Sequence, residues 1–121
     1  MIKKQEEFNF IDIGKKVLAI ESDAVKILKD RLDNSFAVAC EACFECTGKI
    51  IVMGIGKSGH IADKLAATLA STGTPSFFVH PGEAGHGDLG MISNNDIVIA
   101  LSNSGETEEI IDLLPALRSM E

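Results

Sequence analysis

Ser102-Asn103-Ser104-Gly105-Glu106-Thr107 is the stretch of this chain best suited to chemistry. It follows the apolar run Ile97-Val98-Ile99-Ala100-Leu101 and precedes a helical pattern from Glu108 to Leu117. A hydroxyl-rich turn between a buried strand and a helix suits an anion. The helix N-terminus offers unpaired N–H groups and a partial positive charge. Ser102, Ser104 and Thr107 add three neutral donors. An acidic protein can therefore hold a phosphate without a basic patch, and the ligand this predicts is a small phosphorylated molecule.

Two further segments carry candidate groups. Gly54-x-Gly56-x-x-Gly59 matches the dinucleotide fingerprint in a strand–turn–helix setting. A nicotinamide site also needs an acid closing the second strand. That strand ends Val79-His80-Pro81, without one. Nor is the turn a Walker P-loop, because the glycine required five positions before Gly56 is Ile51. The glycines thus read as a tight turn bringing Lys57 and Ser58 to a pocket rim, set against a plain structural turn with a solvated lysine. His80 and His86 flank Pro81-Gly82-Glu83-Ala84-Gly85. Such histidines either bind metal or move protons, or merely hydrogen-bond within a rigid loop. Glu106, Glu108 and Glu109 open a helix, where acids either complement the dipole or supply a catalytic base beside a phosphate.

The elements that position these groups follow from periodicity. Ile13, Val17, Ile20, Ala24, Ile27 or Leu28, and Leu32 recur at helical steps, predicting an amphipathic helix over about Asp12 to Leu32. Asp33-Asn34-Ser35 breaks it and can cap a second helix, Phe36 to Thr47, which Gly48 ends. Lys49 to Met53 reads as a buried strand. A third helix presents Ile61, Leu65 and Leu69, with Ala62, Ala66, Ala67 and Ala70 permitting close approach to a sheet. Gly73 and Pro75 stop it. Ser76 to Val79 and Asp96 to Leu101 are two more strands, separated by a Gly-rich loop, His80 to Gly90. Pro115 should kink the last helix or split it into two pieces. The order predicts an α/β protein with a doubly wound parallel sheet, flavodoxin-like, behind N-terminal helices. Ligands of such sheets bind at the carboxyl ends of the strands. Gly54–Gly59, His80–Gly90 and Ser102–Thr107 all belong there.

Composition narrows the partners. At 121 residues the chain is one domain or part of one. A net charge of −7 argues against nucleic acid and anionic membranes. No window is long and apolar enough to span a bilayer, and the N-terminus turns acidic where a signal peptide would turn apolar. A cytoplasmic location is the expectation. Cys40, Cys43 and Cys46 have the spacing of a metal site but lack a fourth cysteine. They are expected to be small buried residues kept reduced.

Together, Gly54-Ile-Gly-Lys-Ser-Gly-His60, Ser71-Thr-Gly-Thr-Pro75, the His80–Gly90 block and Ser102–Thr107 resemble D-arabinose 5-phosphate isomerase, built on the sugar isomerase (SIS) domain. The Ser-x-Ser-Gly-Glu-Thr run is common to SIS domains, and the other blocks are more specific. The resemblance implies interconversion of D-ribulose 5-phosphate and D-arabinose 5-phosphate, feeding 3-deoxy-D-manno-octulosonate and lipopolysaccharide synthesis, with no cofactor required. It assigns Lys57, His86 and Glu109 to catalysis. It assigns Ser58, Gly73, Thr74, His86, Ser102, Asn103, Ser104 and Thr107 to the pentose 5-phosphate substrate. His80 matches a position of possible inhibitory zinc. A homotetramer is implied. The family's domain is longer and often carries CBS domains. The resemblance therefore reads residues 1–121 as the N-terminal portion of a SIS domain, incomplete, without CBS domains, and inactive alone. The competing readings are a non-catalytic sugar-phosphate-binding SIS module and a nicotinamide-binding fragment. The first would not need Lys57, His86 and Glu109 together, and the second lacks the ribose acid.

Overall fold

A computed structural model describes residues 7–85 and 87–119. The chain divides into two compact units, one up to Val38 and one from Ala39 onward. In the first, helix α1 spans Phe10–Leu28. It begins two residues before the expected start because Asn9 caps it, its Oδ1 accepting from Asp12 N at 3.2 Å. A 3-10 turn, Lys29–Arg31, carries the chain to Leu32. Asp33 then accepts from Ser35 N at 2.9 Å and from the Ser35 hydroxyl, as the cap reading required. Those bonds hold its carboxyl below the usual range. Helix α2 is Asn34–Glu45.

The second unit is built on β1 (Ile50–Gly54), α3 (Lys57–Ser71), β2 (Ser76–Val79) and β3 (Ile97–Leu101). The strands are all parallel in the order β2-β1-β3. β1 is central and buried throughout, which is why its sequence is an unbroken apolar run instead of an alternating one. Its side chains still alternate between faces. Ile50 and Val52 pack with Ala62 and Ala66 of α3, joined by Leu65, Leu69, Phe78 and the β3 residues Ile97, Ile99 and Leu101. Ile51 and Met53 pack on the other face with Val79, Ala84, Ile92 and Leu113. A core on each face is the doubly wound arrangement predicted from the strand–helix order.

Several local expectations are corrected. The His80–Gly90 segment is not all loop: it holds α4 (Pro81–Ala84) and a 3-10 turn, Asp88–Met91. Pro81 at the start of α4 supplies a preset φ where no N–H is needed. The final helix is two pieces, α5 (Glu108–Ile111) and α6 (Leu114–Arg118), with Pro115 in the first turn of α6. Of the α3 residues, Ala67, Ala70 and Ile61 do not join the buried core, so the close approach rests on Ala62 and Ala66. Cys40 is exposed and Cys43 and Cys46 are half-buried, all three free. Burial and its two cysteine neighbours push the Cys43 thiol up, away from thiolate reactivity. No helix of the described residues is long and apolar enough to cross a membrane.

One polar device pins the amino end of the sheet. The Asp96 side chain is fully inaccessible. Its Oδ1 accepts from Lys49 N at 2.7 Å and its Oδ2 from Ser93 N at 2.8 Å. The Lys49 ammonium stands 3.6 Å from the same carboxylate. Burial alone would raise the Asp96 pKa, but the two amides and the ammonium outweigh it and hold it low. Gly48 must be glycine here, since a Cβ would collide with Asp96 and with the Asn95 carbonyl oxygen.

Candidate functional site

Register decides which segments meet. Met53 pairs with Val79, and Gly54 with Leu101. Residues following these partners therefore leave neighbouring parallel strands at one level, about 4.8 Å apart from strand to strand. The turn after β1, the segment after β2 and the hydroxyl turn after β3 share the carboxyl end of the sheet.

The first turn is compressed. A Cβ on Gly54 would lie 2.6 Å from the Ser58 carbonyl oxygen, and one on Gly59 would lie 2.7 Å from the Gly54 carbonyl oxygen. Gly56 has φ +60°, the left-handed region that glycine occupies without strain. These constraints seat Lys57 and Ser58 in the first turn of α3, with Lys57 exposed and Ser58 half-buried.

The third turn orders its own hydroxyls. Ser102 Oγ accepts from Gly105 N at 2.9 Å, and Ser104 Oγ accepts from Glu106 N at 3.0 Å. Ser102 Oγ and Thr107 Oγ1 lie 2.7 Å apart. Gly105, at φ +71°, makes the turn possible. Backbone N–H groups occupy a lone pair on each serine oxygen, and the Ser102–Thr107 contact uses one proton of that pair, which leaves the Ser104 hydroxyl proton and the other proton of the pair for a ligand oxygen. Asn103 is exposed in the same turn, and Thr107 stands at the N-cap position of α5 without a side-chain capping bond; α5 carries exposed Glu109 in its first turn.

In the middle segment His80 is exposed, and its Nδ1 accepts from Gly82 N at 3.0 Å. Nδ1 is then unprotonated, and the neutral ring carries its proton on Nε2. In that form neither ring nitrogen offers a free lone pair to a cation, so the donor chemistry of His80 does not fit zinc. Among the described residues no three His, Cys, Asp or Glu side chains gather as a metal site. His86, the third catalytic candidate and also a substrate candidate, lies outside the described residues.

Lys57, Ser58, His80, Ser102, Asn103, Ser104, Thr107 and Glu109 thus fall at one end of the sheet. Gly73 and Thr74 do not. They form the turn from α3 into β2, with Thr74 N bonded to Leu69 O at 2.9 Å, at the amino end of the strands. The capping role of His80 went unrecognised in the sequence. The signal available was Pro at the first helical position after it. A largely apolar cavity of about 330 Å³ lies along β3, lined by Val98, Ala100, Ile110 and Leu114 among others. None of the candidate groups lines it.

Comparison with known proteins identifies the family and the fold. The SIS domain family matches residues 44–120. Arabinose 5-phosphate isomerase KdsD of Escherichia coli K12 is 56% identical over 119 residues, 98% of this chain and 36% of its own length. The enzyme of the same name in Pseudomonas aeruginosa is 51% identical over 115 residues, 95% of this chain and 35% of its own. This chain therefore spans about a third of the length of these curated relatives. Among solved structures, Escherichia coli CFT073 c3406 in complex with arabinose 5-phosphate superposes with a TM-score of 0.78 at 47% identity, over 93% of this chain and 62% of that one. A proposed phosphosugar isomerase involved in capsule formation, from Bacteroides fragilis, gives 0.85 at 38% identity, over 93% and 60%. The two-faced parallel sheet, the hydroxyl turn after β3 and the family match lead to one conclusion: the chain belongs to the SIS domain family.

Proposed function

We propose that this chain forms the phosphate-binding and proton-transfer part of an isomerase interconverting D-ribulose 5-phosphate and D-arabinose 5-phosphate. One observation carries the reading. The Ser102, Ser104 and Thr107 hydroxyls share a sheet end with a lysine and a carboxylate, which is the inventory such a reaction needs. The names of the KdsD relatives and the sugar phosphate bound in the c3406 complex support it.

The hydroxyl turn and Ser58 hold the phosphate at the non-reacting end of the sugar. That remote binding energy fixes C1 and C2 for reaction. Glu109 takes a proton from C1 of the ketose, giving an enediolate, and returns it to C2. Lys57 stabilises the oxyanion formed on the way. His86 moves the proton between the two oxygens. The hydride and electron count is unchanged, so no redox cofactor enters. The reaction belongs in the cytoplasm and feeds 3-deoxy-D-manno-octulosonate synthesis for lipopolysaccharide. The active form is a homotetramer. Within it, Gly73 and Thr74 reach substrate from a neighbouring copy, since their own copy's site lies at the other end of β2.

The test is kinetic, in the full-length protein. Lys57→Ala and Glu109→Gln should each lower kcat by about 100- to 10,000-fold, the usual contribution of acid–base groups, with substrate still bound. Turnover near wild type in either variant removes that residue from the mechanism. Wild-type protein that binds the pentose phosphate without isomerising it would instead identify a sensor module.

A further inference from the structure

We infer that His80 is the N-cap and positioning residue of the segment after β2, working as a neutral Nε2–H imidazole, and is not a standing zinc ligand. The geometry of the ring carries this. Nδ1 accepts from Gly82 N at 3.0 Å, and the His80 carbonyl accepts from Ala84 N, also at 3.0 Å. Side chain and backbone of one residue thereby satisfy two of the donors that open α4. Pro81, between them, has no N–H to satisfy. The fit is close, because a Cβ on Gly82 would stand 3.1 Å from Nδ1 and 3.2 Å from Cε1.

The cap also fixes the tautomer. A ring that binds a cation through Nε2 must carry its proton on Nδ1. That proton would face the Gly82 N–H, donor against donor, and the cap would break. Metal-bound histidines normally donate their second N–H to an oxygen. Here the neighbour of that nitrogen is a donor. Zinc at His80 therefore competes with the fold of α4, and in the capped state Nε2–H is a hydrogen-bond donor at the sheet's carboxyl end. The inference concerns His80 alone and does not depend on the reaction proposed above.

The test uses the full-length protein with 15N-labelled histidine. Long-range 1H–15N correlation should show His80 with a pyridine-like Nδ1 and a pyrrole-like Nε2. His80→Asn keeps an acceptor at the Nδ1 position, and His80→Ala removes it. Amide exchange at Gly82 should be about fivefold or more faster in His80→Ala than in wild type, the loss expected of one cap. It should return to within about twofold in His80→Asn. Titration with zinc alone, followed by calorimetry, should give the same affinity in wild type and both variants. An Nδ1–H tautomer overturns the inference. So does Gly82 exchange unchanged in His80→Ala, and so does a zinc affinity lost in both variants.

Discussion

Gly54→Ala is the substitution that most directly links the fold to the site. The added Cβ would lie 2.6 Å from the Ser58 carbonyl oxygen, 2.7 Å from its carbonyl carbon and 2.9 Å from Gly59 N. All three are backbone atoms in the first turn of α3, so no side chain can swing away. Ordinary contact begins near 3.4 Å, which requires Ser58 to retreat by about 0.8 Å. Lys57 and Ser58 ride on that turn. A displacement of about 1 Å in a positioned group costs on the order of 100-fold in rate. Overpacking of this kind costs about 1–3 kcal/mol in stability, short of the 5–15 kcal/mol that typically holds a domain together. Full-length Gly54→Ala should therefore remain folded by circular dichroism while kcat/KM for ribulose 5-phosphate falls by about two orders of magnitude. A folded variant with kcat/KM within about threefold of wild type would refute the claim that this turn positions the chemistry.

Two further outcomes follow from the hydrogen bonds. Ser104→Ala removes a hydroxyl and leaves the exposed Glu106 amide, from which it accepts at 3.0 Å, to water, so KM for the pentose phosphate should rise about tenfold or more, a loss of roughly 1.5 kcal/mol or more, with the melting temperature nearly unchanged. Unaltered saturation would rule out this placement of the phosphate. Asp96→Ala deprives Lys49 N and Ser93 N of a charged acceptor, and should destabilise the fold by about 3 kcal/mol in urea denaturation, with Asp96→Asn costing roughly half as much. Because the folded Asp96 pKa lies below its unfolded value, its contribution is present above about pH 4 and disappears as pH falls through the folded value. A wild-type acid-unfolding midpoint shared by Asp96→Asn would contradict that assignment.

The elements legible in the sequence were those written locally. β1 and β3 announced themselves as apolar runs. Their Gly-rich or hydroxyl-rich exits marked the carboxyl ends of the strands, and the Asp33 cap lies within two residues of the bonds it makes, whereas the Asn9 cap, equally local, was passed over. What escaped depends on partners remote in sequence or on ring orientation. Asp96 read as the first residue of a strand, yet its partner Lys49 N is 47 positions away. Cys46 read as a buried helix residue, but lies beyond the end of α2 and donates to Asn95 O at 3.4 Å, 49 positions on. The histidine at position 80 left metal, proton and hydrogen-bond roles open. The 3.0 Å contact with Gly82 N shows the hydrogen-bond role.

The electrostatic logic of the site explains why an acidic chain is not a contradiction. Three carboxylates, Glu106, Glu108 and Glu109, crowd the turn proposed to hold a phosphate. A lysine cluster would attract the phosphate but would also pair with those acids and hold Glu109 in its charged, weakly basic form. Hydroxyl donors impose no such penalty. They bind through short hydrogen bonds whose geometry the Gly105 and Glu106 amides fix beforehand, so little ordering remains to be done when the ligand arrives. On the proposed mechanism, the single cation in the flanking turn, Lys57, is then left for charge that would develop at the sugar's other end. Replacing Ser104 by Lys would test this division of labour. It should tighten binding of inorganic phosphate at low salt and yet lower kcat, because the new ammonium competes for Glu109 and depresses its basicity. Equal or faster turnover in Ser104→Lys would show that neutrality at this turn has no bearing on the chemistry.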